Sequence, residues 1–239
     1  MGKFQIKLVR KPFRRNISLY VKPPAEIRVV TSQTTSLQQV QKFVELKESW
    51  IESHLLKFKN YKDKFPEKKI LQSETFPFLG ENLELRFVVT PLKNIFFSQA
   101  DRFLNLHVPE SLWNELKDED LSEHREALKK FYKREAEKLI SERAKLWSAQ
   151  MDLHPKSLKF KNQKTRWGSC SNRGGVNINW RLIAAPLEII DYILIHEFCH
   201  LEHMNHSQDF WALVGQHAPG YQKAEQWLDT HGRTLDFLL

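Results

Sequence analysis

Residues 186–204, Pro-Leu-Glu-Ile-Ile-Asp-Tyr-Ile-Leu-Ile-His-Glu-Phe-Cys-His-Leu-Glu-His-Met, form a mostly apolar run that ends in two imidazoles and a carboxylate. Polar groups so close to a core are costly unless they find partners or a metal. Pro186 suits the first position of a helix, Glu188 and Asp191 favour its positive end, and Ile189, Ile190, Ile193 and Leu194 offer a surface to bury. On that helix His196 and His200 stand one turn apart on one face, with Glu197 beside them. The pattern is His-Glu-x-x-His, in which two imidazoles reach one zinc ion and the carboxylate reaches its water. With 10 His in the chain, chance predicts roughly 0.035 such matches, before the helical context is required.

A zinc site that keeps a position for water needs a third protein ligand. The nearby candidates are Glu202, His203, His206 and Glu225. On a continuous helix His203 lies about 10.5 Å beyond His196, whereas two ligands of one zinc are at most about 4 Å apart. Asn205 tolerates the left-handed conformation that ends a helix and would turn His206 back toward the ion. His206 is therefore the expected third ligand, with Glu225 as the alternative. Zinc held this way lowers the pKa of its water and polarises a carbonyl, while Glu197 takes the proton as general base. Peptide hydrolysis is the simplest outcome, and another amide or ester hydrolysis would use the same water and base. Arg166, Tyr192, His217 and Tyr221 are candidates for supporting the oxyanion, and no spacing rule chooses among them. A binding module with structural zinc is the rival reading, but a closed structural site has four protein ligands.

The 239-residue chain is 41% hydrophobic and carries two cysteines, Cys170 and Cys199. That excludes a disulfide-dense secreted scaffold and a four-cysteine zinc site within it. A mean hydropathy of −0.52 and the lack of a long apolar run argue against a membrane span. The opening MGKFQIKLVRKPFRR has no apolar core of a signal peptide, so a cytoplasmic protein is expected. The net charge of +8 is uneven: residues 1–100 hold 18 Lys and Arg against 9 Asp and Glu. The pairs Arg10-Lys11 and Arg14-Arg15 suggest non-specific contact with nucleic acid phosphates through this region.

An α+β chain with two units is expected. Residues 1–120 read as a basic N-terminal region with a connector: a small antiparallel sheet from strands near 17–21 and 27–30, one amphipathic helix from Ser36 to Leu55, and an alternating strand at 83–89 after the Phe78-Leu79-Gly80 turn. The charged stretch Lys117-Asp118-Glu119-Asp120 marks the boundary. Residues 121–239 read as a second domain with a long helix from Ala127 to Met151, short strands around the Asn172-Arg173-Gly174-Gly175 turn, the histidine helix, and C-terminal helices that bury Phe210, Trp211 and Trp227. Arg166, Trp167, Gly168, Ser169 and Cys170 suggest a sheet edge on which a substrate adds as a strand, Gly168 permitting close backbone approach.

Thr165-Arg166-Trp167-Gly168-Ser169-Cys170-Ser171, Asn177-Ile178-Asn179-Trp180-Arg181, the His-Glu-x-x-His helix, Asn205-His206-Ser207 and Phe210-Trp211 together resemble the YgjP-like metallopeptidases, themselves similar to WLM and SprT-like zinc proteases. The resemblance covers about residues 157–232 strongly and the N-terminal region more loosely. It implies a zincin-like domain with an active-site helix, a backing helix and a small sheet. It also implies zinc on His196, His200 and His206, Glu197 as general base, and a peptide or protein substrate.

Overall fold

The computed structural model describes residues 3–14, 16–22, 26–64, 68–116, 121–163 and 165–236. The chain divides into two compact units, Met1–Glu67 and Lys68–Leu239. In the first, β1 (Ile6–Lys11), β2 (Ser18–Lys22) and β3 (Glu26–Ser32) precede α1 (Leu37–Leu46) and α2 (Glu48–Lys64). β2 pairs antiparallel with β3 as expected, but β1 runs parallel along β3's other edge, so the sheet is mixed. In the strand order β1-β3-β2, β2 occupies one side of β3, and β1, running opposite to β2, lies parallel on the other. Ser36 caps α1 through a capping box with Gln39. The single helix expected over 36–55 is two, because α1 stops at Lys47 before α2 begins. Ile27, Val29, Val40, Val44 and Ile51 form this unit's core.

The first unit carries 14 Lys and Arg against 6 Asp and Glu, the whole excess of the chain. The Arg10 guanidinium donates to the carbonyls of Ser32, Gln33 and Thr35. Arg14 donates to Asn16 O and Ser18 Oγ. Two of the arginines expected to face phosphates are thus committed to their own unit, and Arg15 lies outside the described residues.

In the second unit β4 (Thr75–Phe78), β5 (Glu81–Thr90), β6 (Phe96–Ala100) and β7 (Phe103–Pro109) form a mixed sheet in the order β4-β5-β7-β6. The short α3 (Trp113–Leu116) leads to α4 (Arg125–Met151), and β8 (Ser157–Lys161), β9 (Gly168–Cys170) and β10 (Gly175–Asn179) make a second sheet, ordered β8-β10-β9. Then come α5 (Leu187–Cys199), α6 (Gln208–His217) and α7 (Tyr221–His231). α4 buries a stripe at helical spacing, Leu128, Phe131, Tyr132, Ala136, Ile140 and Ala144. Its Arg143 grips Asp191 of α5 with two hydrogen bonds, Nε to Oδ1 at 2.8 Å and Nη2 to Oδ2. Asp191 in turn holds the Arg143 pKa above its ordinary value. No helix among the described residues is long and apolar enough to cross a membrane.

The boundary therefore falls at Glu67, not near residue 120, and the expected linker 117–120 lies outside the described residues. The cause is packing: Phe76, Leu83, Leu85, Phe97, Leu104 and Leu106 are buried in one core with α4 and α5. The β4–β5 turn also docks directly ahead of α5, where Leu79 N donates to Ile183 O (2.8 Å) and Gly80 N to Ala184 O (3.1 Å). Gly80 has φ +83°, and a Cβ there would sit 2.9 Å from Pro186 Cγ. Gly80→Ala should thus destabilise the unit by about 1–3 kcal/mol, lowering the melting temperature by roughly 2–4 °C per kcal/mol. An unchanged melting curve would refute the tight docking.

Candidate active site

α5 starts after Pro186, which stands at the N-cap with φ −53° and ψ 149° rather than inside the helix, and Glu188 lies in the first turn. Ile189, Ile190, Ile193, Leu194 and Ile195 are buried, so the helix is enclosed on most sides. It ends at Cys199, with His200 as C-cap still in right-handed geometry. The chain then winds back through Leu201 N to Phe198 O, His203 N to Cys199 O and Ser207 N to Asn205 O. Asn205 does not take the expected left-handed conformation, because the helix has already ended at Cys199 and the reversal is spread over the whole loop.

The loop delivers His206 to the histidine face. Ligand atoms of His196, His200 and His206 lie within 4.8 Å of one another, and the Nε2 atoms of His196 and His206 are 3.1 Å apart. Tetrahedral ligation at about 2.0–2.1 Å puts neighbouring nitrogens about 3.3 Å apart, so the donors fit a divalent ion. Each ring on α5 is also oriented from behind. His200 Nδ1 donates to the His203 carbonyl at 3.0 Å, leaving Nε2 free as an acceptor. His196 Nδ1 lies 3.4 Å from the Tyr192 hydroxyl. His203 contributes its backbone, and its ring stands outside the cluster. Phe210, fully buried, stacks on His200 at 4.5 Å and meets His196 and His206 edge-on. Trp211 stacks on His206 and on Tyr221.

Burial, followed by the charges of His200 and His206, pushes the His196 pKa down to about 4. Burial also lowers His200. Neutral imidazole is the form that binds a metal. Glu197 is 5% exposed, and burial pushes its pKa up to about 7 against the opposing charge of Arg166. Its Oε2 has no hydrogen-bond partner among the described residues. The carboxylate fits only because residue 168 is glycine: a Cβ there would lie 2.4 Å from Glu197 Oε1 and 2.5 Å from Cγ. The close approach is thus between strand backbone and a side chain of α5. β9, which carries Gly168, pairs only with β10 among the described strands, so its other edge is open.

A cleft of about 490 Å³ lies beside Glu197, walled by Arg166, Trp167 and Gly168, by Tyr192, Ile193 and His196 of α5, and by Glu225, Leu228 and Asp229 of α7. Of the residues expected to meet substrate, Arg166, Trp167 and Gly168 line it. Ser169 does not: strand alternation turns it toward Asn177, whose Nδ2 donates to its Oγ at 3.2 Å. Tyr221 stacks against Tyr192 and Trp211, and neither it nor His217 lines the cleft. Glu225 faces the cleft instead of joining the histidines. Sequence reasoning missed the supports from the His203 carbonyl and Phe210. The Tyr192 contact was accessible as a residue one turn before His196 on the same helix face.

A family model for the YgjP-like metallopeptidase domain matches residues 15–231. The chain belongs to this family. Membership implies a metal ion and peptide or protein substrates, which the three-histidine cluster and the open cleft accommodate. No curated protein matches the chain significantly. The crystal structure of the metallopeptidase zymogen of Pyrococcus abyssi abylysin is similar at 22% identity over 38% of this chain and 90% of that one. Its TM-score of 0.35 is too low to support an argument.

Two outcomes test this geometry. Gly168→Ala should displace the Glu197 carboxylate and cut any hydrolysis at the site by at least about tenfold while metal binding persists; full activity would refute the contact. In the metal-free protein, Glu197 keeps a proton between about pH 4.5 and 7 that the unfolded chain releases, so this group lowers stability as pH rises. Glu197→Gln removes that loss. Its unfolding free energy relative to the parent should climb by about 1–3 kcal/mol from pH 4.5 to 7, as measured by chemical denaturation. A constant difference would mean an ordinary carboxylate.

Proposed function

We propose that this metallopeptidase is a zincin-like, zinc-dependent peptidase in which His196, His200 and His206 hold the metal and Glu197 is the general base. The observation that carries the reading is the convergence of three imidazoles beside a buried carboxylate with one unpartnered oxygen. Zinc bound there supplies Lewis acidity toward a carbonyl and lowers the pKa of water. The chain's own residues do the rest. The open edge of β9 offers backbone groups to an extended substrate strand, and Gly168 keeps the space between that strand and α5 clear. Glu197 accepts a proton from the attacking water and returns it to the leaving nitrogen. Three protein ligands, rather than the four of a closed structural site, favour catalysis over a purely structural metal.

Metal analysis after purification without chelator should find about one zinc per chain. His206→Ala should lose metal affinity severely and His203→Ala should not; the reverse would overturn the ligand assignment. Glu197→Gln should keep the zinc while hydrolysis falls by roughly a hundredfold to ten-thousandfold. Parent-like turnover would exclude Glu197 as the base, and loss of zinc would make it a ligand or a support of the site.

A further inference from the structure

We propose that the cleft beside Glu197 selects peptides with a lysine or arginine next to the scissile bond, its cationic head seated against Glu225 and Asp229. This inference rests on the peptidase reading and assigns its substrate class. Glu225 and Asp229 are one turn apart on α7 and both line the cleft. Like charges at this spacing oppose each other on a helix. Among the described residues neither forms an ion pair with Lys or Arg; Glu225 interacts with the Tyr192 hydroxyl, adding to the burial that holds the Tyr192 pKa above its ordinary value, and this neutral partner leaves the negative charge of Glu225 in the cleft. Arg166, the basic residue of the lining, is exposed, and its charge opposes the rise in the Glu197 pKa.

The rest of the lining suits the same side chain. Trp167, Ile193 and Leu228 supply apolar surface for an aliphatic stem, the arrangement in which lysine and arginine bury their methylenes and leave the charge outside. Asp229 is exposed and Glu225 half-buried, which places the charge where its desolvation is incomplete and a surface-strength ion pair suffices. Glu197 lines the same cleft. A peptide bond positioned beside it therefore brings a flanking side chain to α7. The volume of about 490 Å³ is within the usual range for a ligand pocket.

The test is a peptide library cleaved by zinc-loaded protein, with lysine, arginine, norleucine and glutamate varied on each side of the cleaved bond. At one flanking position lysine and arginine should exceed norleucine in kcat/KM by roughly fivefold to tenfold, the ratio shrinking with added salt. Asp229→Lys should bring the ratio to one or invert it, and Asp229→Glu should preserve it. Cleavage without that preference, or a preference untouched by Asp229→Lys, overturns the inference and leaves the peptidase reading standing. If no peptide is cleaved, the peptidase reading falls and affinity decides the pocket. In the Glu197→Gln protein, tighter binding of the lysyl than the norleucyl peptide, lost in Asp229→Lys, upholds it; equal affinity overturns it.

Discussion

Glu197 lies almost wholly out of water on a helix whose neighbours are apolar, and an ionised carboxylate there is expensive. The surrounding structure resolves this by leaving room in one direction only. The missing side chain of residue 168 admits the carboxylate against the β9 backbone, and the residue lines the cleft. Burial thus favours the protonated form of the group, and the glycine contact fixes its position. That combination serves a proton carrier better than a structural acid.

Positioning Glu197 depends in turn on fixing α5, and the helix is clamped at several points along its length. Gly80 meets Pro186 just ahead of the first turn, Arg143 holds Asp191 in the second, and Phe210 closes around the histidines at the end. These contacts come from β4–β5, α4 and α6, which explains why a sheet that reads as part of an N-terminal domain belongs to the catalytic unit. The aromatic wall of Phe210 and Trp211 adds a second restraint: it limits ring rotation at all three imidazoles.

The legible parts of this protein were those encoded locally. His196, Glu197 and His200 stand out because helical periodicity alone puts them together, and the stripe from Leu128 to Ala144 and the Ser36 cap follow from the same short-range rules. His206 was reachable by elimination, although the chain reverses by another route than a left-handed Asn205. What escaped is long-range. Nothing near Gly80 announces that its partner is Pro186, and nothing near Lys117 to Asp120 reveals that the strands before it share a core with α4. The parallel placement of β1 beside β3 likewise depends on strand order, which hydrophobic alternation does not report. Glu225 reads in the sequence as an alternative metal ligand, and only the placement of α7 beside the cleft shows that it lines the cleft with Asp229.

All three imidazoles of the cluster come from a stretch of eleven residues, His196 to His206. Closing so short a loop costs little chain entropy, so much of the chelating capacity survives when the rest of the domain is unfolded. Metal that binds the unfolded chain as well as the native one stabilises folding by less than its native affinity suggests. For this protein, tight metal binding and strong metal-dependent thermal protection are therefore separate properties.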